Sequence, residues 1–159
     1  MHGQYRGDIV SICEQSISPA HFAKQQEVIE VGLKKFTDPL NSNLDLFPEE
    51  VQRILRCVHS HLFERSLTVE IVKAKCGLKN NNVTTKFRLV IGVGIREYVT
   101  SQRLKAAASI LSNHQLAIYL VATAVGYTEE AFSRLFRETY DCTPSQYREM
   151  QSKRKGQEI

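Results

Sequence analysis

The sequence repeats itself at an offset of 49 residues, and this internal repeat constrains the fold more than any other feature. Apolar positions between the identical pairs also keep their type, as at Val69 and Ile118. Solenoids repeat at such periods but need at least about three copies, so two copies indicate a duplicated small motif. The identical pairs are Leu67/Leu116, Val72/Val121, Gly77/Gly126, Phe87/Phe136, Arg88/Arg137 and Tyr98/Tyr147.

Each copy is predicted to form two short helices joined by a tight turn. In the first copy, Thr68 is the expected N-cap of a helix that stops at Gly77, because glycine readily adopts the left-handed conformation that ends helices. The second copy has the equivalent glycine at Gly126. Two helices joined by a turn of about three or four residues that contains glycine make a helix-turn-helix. A generic αα-hairpin explains one copy equally well but accounts less well for the duplication.

The second helix of each copy carries a polar stripe beside an apolar one. The apolar stripes are Val83, Phe87 and Val90 in the first copy and Phe132, Leu135 and Phe136 in the second. Short hydrogen-bonding side chains on the other face suit contacts with base edges in a DNA major groove, and an ordinary solvated face is the alternative. The candidate DNA-binding residues are Asn81, Asn82, Thr84, Thr85, Lys86, Arg88, Glu130, Ser133, Arg134, Arg137 and Thr143.

The segment between the motifs is predicted to be one long linker helix over about 94–112, since its apolar residues recur at helical spacing without proline. At 1.5 Å per residue this helix is about 28 Å long. With the width of the motifs added, two recognition helices would sit about 34 Å apart, one turn of B-DNA. A further helix is expected to begin at Pro48, and a short one to follow Thr143-Pro144 with Thr143 as its cap.

Charge is unevenly distributed along the chain. Residues 65–105 contain nine Lys or Arg and two Asp or Glu, a net charge of +7, whereas 106–150 contain three and five, a net charge of −2. A basic block of this size predicts an anionic partner, with nucleic acid as the first candidate. A solvated surface with a mild excess of lysine is the alternative on charge alone.

Composition excludes several other classes of protein. No apolar run approaches the roughly 18 residues that span a bilayer, so no membrane association is expected. The four cysteines show no zinc-site spacing and no catalytic partner pattern, so we expect reduced thiols, no metal, no cofactor and no enzymatic activity. His59 and His61 are alternate helix positions whose side chains point apart, and surface histidines explain them better than a metal site does.

The C-terminal motif resembles the DNA-binding domain of the AraC/XylS family of bacterial transcription regulators. The matching features are Ile118, Ala122, Gly126-Tyr127, the helix 132–136 with sequence FSRLF, Thr143-Pro144 with Tyr147-Arg148, and Arg103-Leu104 with Ala107. The resemblance covers about residues 48–150. It implies about seven helices, two homeodomain-like helix-turn-helix motifs, binding to promoter DNA and activation through RNA polymerase in the bacterial cytoplasm, associated with the nucleoid.

Three regions follow from these observations. Residues 1–46 form an N-terminal helical extension or linker, 47–150 an AraC-type double helix-turn-helix domain, and 151–159 a basic tail. Within the extension, residues 19–36 are predicted to be helical, with a protein-covered apolar stripe of Phe22, Ile29, Leu33 and Phe36, and Asp38-Pro39 is expected to end the helix. This helix docks on the first motif or pairs with a copy of itself, so both a monomer and a dimer remain open.

The second motif departs from the family pattern in its turn. One residue fewer separates Gly126-Tyr127 from Phe132, and the shortened turn carries Glu129-Glu130. Acidic residues cap a helix but repel phosphates, or accept hydrogen bonds from cytosine amino groups. The favoured function is a sequence-specific DNA-binding transcription regulator whose two recognition helices read successive major grooves. The alternative is a protein-interaction module on the same fold that has lost specific DNA binding.

Overall fold

The computed structural model describes residues 18–78 and 82–157, and within these ranges it contains α-helices and no β-strand. The all-α prediction, with two helix-turn-helix motifs and an N-terminal helical extension, is confirmed. The described helices are α1 Pro19–Leu40, α2 Glu49–Ser60, α3 Val69–Lys75, α4 Asn82–Ile91, α5 Ile95–Leu111, α6 Ile118–Ala124, α7 Glu129–Tyr140 and α8 Pro144–Gln157, with a 3-10 turn at Leu44–Leu46.

The two helix-turn-helix motifs, α3–α4 and α6–α7, repeat each other in backbone detail. Gly77 and Gly126 both have a positive φ, 63° and 88°. The amide that follows each glycine donates to an equivalent carbonyl, from Leu78 to Lys73 at 2.9 Å and from Tyr127 to Ala122 at 3.0 Å. The side-chain caps do not follow the repeat: Thr68 caps α3 as predicted, at 3.3 Å, whereas its equivalent Ala117 has no capping side chain, and in the second motif Thr128 caps α7 instead, also at 3.3 Å.

Each motif closes its core with the same aromatic pair. Phe87 and Phe136 are fully buried, as the repeat predicts. Tyr98 packs edge-on against Phe87 with ring centroids 5.7 Å apart, and Tyr147 packs edge-on against Phe136 at 5.4 Å. The prediction that Val90 belongs to the apolar stripe is wrong in part. Val90 is 38% exposed, whereas Phe87 on the same helix is fully buried.

The N-terminal helix α1 contains the predicted span 19–36, but the prediction that Asp38-Pro39 ends it is wrong, because the helix continues through Pro39 to Leu40. Pro39 has no N–H to donate to the carbonyl four residues earlier, but only Leu40 follows it in the helix, so the interruption affects little of α1. Ile29 and Leu33 are buried in the core formed with α5, α6 and α7, so these residues dock on the linker helix and the second motif and not, as predicted, on the first motif. Phe22, expected in the same stripe, is 36% exposed, since the covered part of α1 begins only at Gln25.

One buried histidine ties α1 to the first motif. His59 of α2 contacts the Asn41 side-chain oxygen through Nδ1 at 2.9 Å and the Tyr98 hydroxyl through Nε2 at 2.8 Å. The amide oxygen only accepts, so Nδ1 carries the proton and Nε2 accepts from Tyr98. Burial lowers the pKa of His59 to about 4 and raises the pKa of Tyr98 to about 12. The ring is therefore neutral at physiological pH.

The glycines of the two turns should differ in how well they tolerate alanine. A Cβ at Gly77 meets no atom within 4 Å, whereas at Gly126 it would lie 2.9 Å from the Phe63 carbonyl oxygen and 3.0 Å from Arg103 Cζ. We expect Gly77→Ala to cost about 1 kcal/mol of unfolding free energy, from backbone strain alone. Gly126→Ala should cost about 2–4 kcal/mol because overpacking adds to the strain. Denaturant unfolding of both variants measures the difference, and equal losses would contradict this account.

Stability should depend on pH through His59. The pKa of His59 is about 4 in the folded chain and about 6.5 when unfolded, so the unfolded state binds more protons between these values. The unfolding free energy should therefore be full above pH 6.5 and fall as the pH drops towards 4, by up to about 3 kcal/mol. Thermal unfolding of His59→Gln should show a weaker pH dependence across this window. The exposed His21→Gln is the control and should behave as the native chain does.

Candidate nucleic-acid interface

The predicted polar face of α4 is accessible over much of its length. Asn82, Thr85 and Arg88 are exposed, and Thr84 is half-buried. Asn81, which was placed at the start of this face, lies outside the described residues. Among the described residues no ion pair includes Arg88, so its guanidinium is available to an external anion. The face thus presents hydroxyl, amide and guanidinium groups together, which is the chemistry of DNA contacts.

Lys86 points away from that face. Its Nζ donates to the Glu50 carboxylate of α2 at 2.5 Å, and this contact lowers the pKa of Glu50. On a helix wheel Lys86 lies about 160° from Arg88, near the side on which α4 meets α2. A phosphate contact by Lys86 would require this exposed pair to open, which costs little in water. The structure therefore gives Lys86 a partner that spacing along α4 does not reveal.

The outer face of α7 carries carboxylates as well as arginines, and one of its arginines is paired within the helix. Glu130 and Arg137 are exposed and Ser133 is half-buried. Arg134 is exposed but forms an ion pair with Glu138 one turn later, at 3.3 Å. Thr128 begins the helix, so the shortened turn places Glu129 and Glu130 in its first turn, where negative charge stabilises the helix end. The outer face of α7 is thus less basic than that of α4, although Arg137 is in none of the described ion pairs.

Thr143 acts as the helix cap that the sequence predicts. Its hydroxyl accepts from the Gln146 amide at 3.2 Å, and the Gln146 side chain accepts from the Thr143 amide at 2.9 Å. This reciprocal pair is a capping box, which satisfies two amides at the start of α8. Contact of Thr143 with DNA stays a prediction. The side chain is half-buried, and its hydroxyl already accepts from the Gln146 amide within the fold.

Arg96 is a candidate contact that the sequence analysis did not select. It lies in the first turn of α5 and lines three shallow grooves: one with Arg134, one with Arg88 and Glu97, and one with Thr84. Arg96 therefore sits between the two recognition helices. Within the described ranges no ion pair includes it. The signal in the sequence was its membership of the basic block, which alone does not separate it from other surface cations.

Arg103 belongs to the scaffold behind the interface. It is 4% exposed, and its guanidinium donates to the carbonyls of Leu62 at 2.7 Å, Glu64 at 2.5 Å and Gly126 at 3.4 Å. It also lies over the Tyr127 ring, 5.1 Å from the centroid. One side chain on α5 thereby joins the loop after α2 to the turn of the second motif.

Arg148 has the corresponding place in the second motif. It donates to the carbonyls of Leu111 at 3.2 Å and Leu116 at 2.7 Å, and partial burial lowers its pKa. Leu62 and Leu111 are equivalent positions in the repeat. Each motif is thus closed by an arginine that binds the same carbonyl of the repeat. Both arginines stood in the family motif, but the motif does not say that their role is internal.

The prediction of surface histidines at the end of α2 is wrong for His59, which is buried, and His61 is half-buried. His61 bonds to Glu64 at 2.5 Å, beside a Lys75–Glu64 ion pair, and His59 is held by Asn41 and Tyr98. Across residues 18–78 and 82–157 no group of three or more His, Cys, Asp or Glu side chains could hold a metal ion. In the same ranges, no helix has the length and hydropathy that crossing a membrane requires.

Two sequence comparisons place the chain among known regulators. A family model for a helix-turn-helix domain matches residues 72–150. Regulatory protein SoxS of Salmonella typhimurium is 31% identical over 99 residues, which cover 62% of this chain and 92% of SoxS. The HTH-type transcriptional regulator AlkR of Acinetobacter baylyi is 27% identical over 124 residues, 77% of this chain and 40% of AlkR. The chain therefore spans less than half of AlkR but nearly all of SoxS.

Solved structures share the fold. The C-terminal domain of AraT, a response regulator from Geobacillus stearothermophilus, superposes with a TM-score of 0.62 at 26% identity, covering 65% of this chain and 86% of that domain. The DNA-binding domain of AdpA, solved in complex with a target DNA, gives a TM-score of 0.62 at 22% identity, covering 69% and 99%. With SoxS matched over nearly its whole length and two helix-turn-helix motifs in place, this chain belongs to the AraC/XylS family of transcription regulators and contains that family's DNA-binding domain.

Proposed function

We propose that this protein regulates transcription by placing α4 and α7 in two successive major grooves of one DNA duplex. The observation that carries the proposal is the structural repeat: two equivalent helices, each with an outward arginine at Arg88 or Arg137, joined by α5. The 17 residues of α5 extend about 26 Å. This length and the width of the motifs suit a separation of about one helical turn of DNA.

The first motif should supply most of the affinity. Phosphate contacts dominate protein–DNA affinity, and each one releases counterions from the DNA. The block 65–105 carries a net charge of +7, and Arg88 and Arg96 face the solvent without a carboxylate partner among the described residues. In the second motif, Arg134 forms an ion pair with Glu138, and Glu129 and Glu130 lie in the first turn of the same helix. The second motif should contribute a smaller, second-groove term.

The relatives support the choice of ligand. SoxS and AlkR are named as a regulatory protein and a transcriptional regulator, and the AdpA domain was solved on its target DNA. We extend these properties to this chain and place it in the bacterial cytoplasm, where the chromosome is accessible. RNA polymerase is the second partner that the family implies. The monomer and the dimer through residues 19–36 both remain compatible with the proposal.

Neutralising a phosphate contact should weaken all DNA binding alike. We expect Arg88→Gln and Arg96→Gln each to lower affinity for a selected site and for random DNA, and to reduce the salt slope by about one unit. Fluorescence anisotropy at several salt concentrations measures both quantities. Lys105→Gln is the matched control, because Lys105 is exposed about 180° from Arg96 around the same helix. A salt slope that changes only in the control would contradict the placement of the interface.

Removing a base contact should act on the selected site only. Thr85→Ala should cost about 1–3 kcal/mol of binding free energy there and leave binding to random DNA unchanged. Arg134→Ala should have a smaller effect than Arg88→Gln. The probe is a duplex that the native chain selects from a random-sequence library. If Arg134→Ala abolishes binding while the α4 variants do nothing, the roles of the motifs are reversed. If no variant matters, the helix-turn-helix face serves a protein partner instead.

A further inference from the structure

The N-terminal helix α1 completes the start of the second motif. Gln25 of α1 is 5% exposed, and its Oε1 accepts from the Ala117 amide at 2.9 Å, across 92 residues of sequence. Ala117 is the N-cap of α6, and alanine has no side chain to cap a helix. In a capping box the N-cap amide is bonded by a polar residue at the third helical position, but here that residue is Leu120. Gln25 supplies this bond from another helix.

The other end of α1 is bonded to the first motif. Asn41, the C-cap of α1, contacts His59, and His59 contacts Tyr98, whose ring packs on Phe87 of α4. Between its ends, α1 lies tightly along α5. A Cβ at Gly32 would lie 2.5 Å from Ile110 Cγ2, so little space separates the two helices. One helix of 22 residues therefore has a polar anchor in each motif and continuous packing between the anchors.

We propose that α1 is a brace that holds the second helix-turn-helix motif in register with the first, with Gln25 as the positioning residue for α6. The inference rests on the proposed two-groove binding. The groove spacing of a duplex is set by the DNA, so a motif free to shift must be ordered when it binds, and that ordering lowers affinity. Loss of the Gln25 bond leaves the Ala117 amide without its acceptor at a partly buried site, and the start of α6 can then move.

The position of Gln25 lends itself to a matched comparison, because its neighbour Gln26 is exposed on the same helix. Gln25→Met keeps the size of the side chain but removes the acceptor. Gln25→Glu keeps an oxygen acceptor and is the rescue variant. Gln26→Met is the control. Thermal unfolding and far-ultraviolet circular dichroism of the full chain establish that each variant is folded before binding is measured.

Three DNA probes separate positioning from general destabilisation. The first probe is the site that the native chain selects. The second probe has two base pairs inserted between the two major grooves that the native chain contacts. In the third probe, the base sequence in the groove contacted by the second motif is scrambled. We expect Gln25→Met to lose about threefold to tenfold in affinity on the first probe and nothing on the third. The inserted base pairs should lower the affinity of Gln25→Met by a smaller factor than they lower the affinity of the native chain. Gln26→Met should match the native chain. Gln25→Glu should recover part of the affinity that Gln25→Met loses on the first probe, because it restores the acceptor but places a carboxylate at a site that is only 5% exposed.

Other outcomes overturn the inference. An equal loss of affinity on all three probes would show that Gln25 merely stabilises the domain, and no change on any probe would show that it does not position α6. Either result leaves the proposed function intact, since the native chain still selects and protects a two-groove site. If the native chain selects no site from the library, the proposed function fails and the brace fails with it.

Discussion

The relative placement of the two motifs depends on the buried guanidinium of Arg103. An arginine cannot shed its proton in a protein, so a buried one needs a partner for each donor direction. Here the partners are three carbonyl oxygens and the ring of Tyr127. They come from the loop after α2 and from the turn of the second motif. If either segment moved, charged donors would be left without acceptors, so both segments are held against α5.

The two arginines make the same kind of bond in each copy of the repeat, although they do not align in sequence. Arg148 binds the carbonyl of Leu111 as Arg103 binds that of Leu62, yet Val99, not Arg103, aligns with Arg148. Arg103 lies four residues after Val99, which is about one helical turn. Both arginines therefore approach equivalent carbonyls from the same side of a helix. The aromatic residues of the two cores are identical in the aligned repeat. The two arginines are equivalent only in the carbonyls that they bind in the folded structure.

On this symmetric scaffold the two motifs have different surfaces. Among the described residues, the first presents Arg88 without an ion-pair partner beside hydroxyl groups on α4, whereas the second pairs Arg134 with Glu138 on α7 and leaves only Arg137 outside an ion pair there. A nearly symmetric fold can thus divide the work of recognition, with affinity concentrated in one groove and a weaker reading in the next. That division requires rigid spacing, to which α5, Arg103 and α1 all contribute.

The sequence by itself determined the helical class, the two motifs, the caps at Thr68 and Thr143 and the left-handed turn at Gly77, because each follows from periodicity or from bonds within a few residues. Only the tertiary structure decided the roles of Gln25, His59, Lys86 and Arg103. Their partners lie 18 to 92 residues away. From the sequence, a polar residue in a helix is predicted to face the solvent, whether or not it bonds to a residue distant in the chain. Burial and long-range hydrogen bonds or ion pairs arise when the helices pack together, so the local sequence pattern does not predict them.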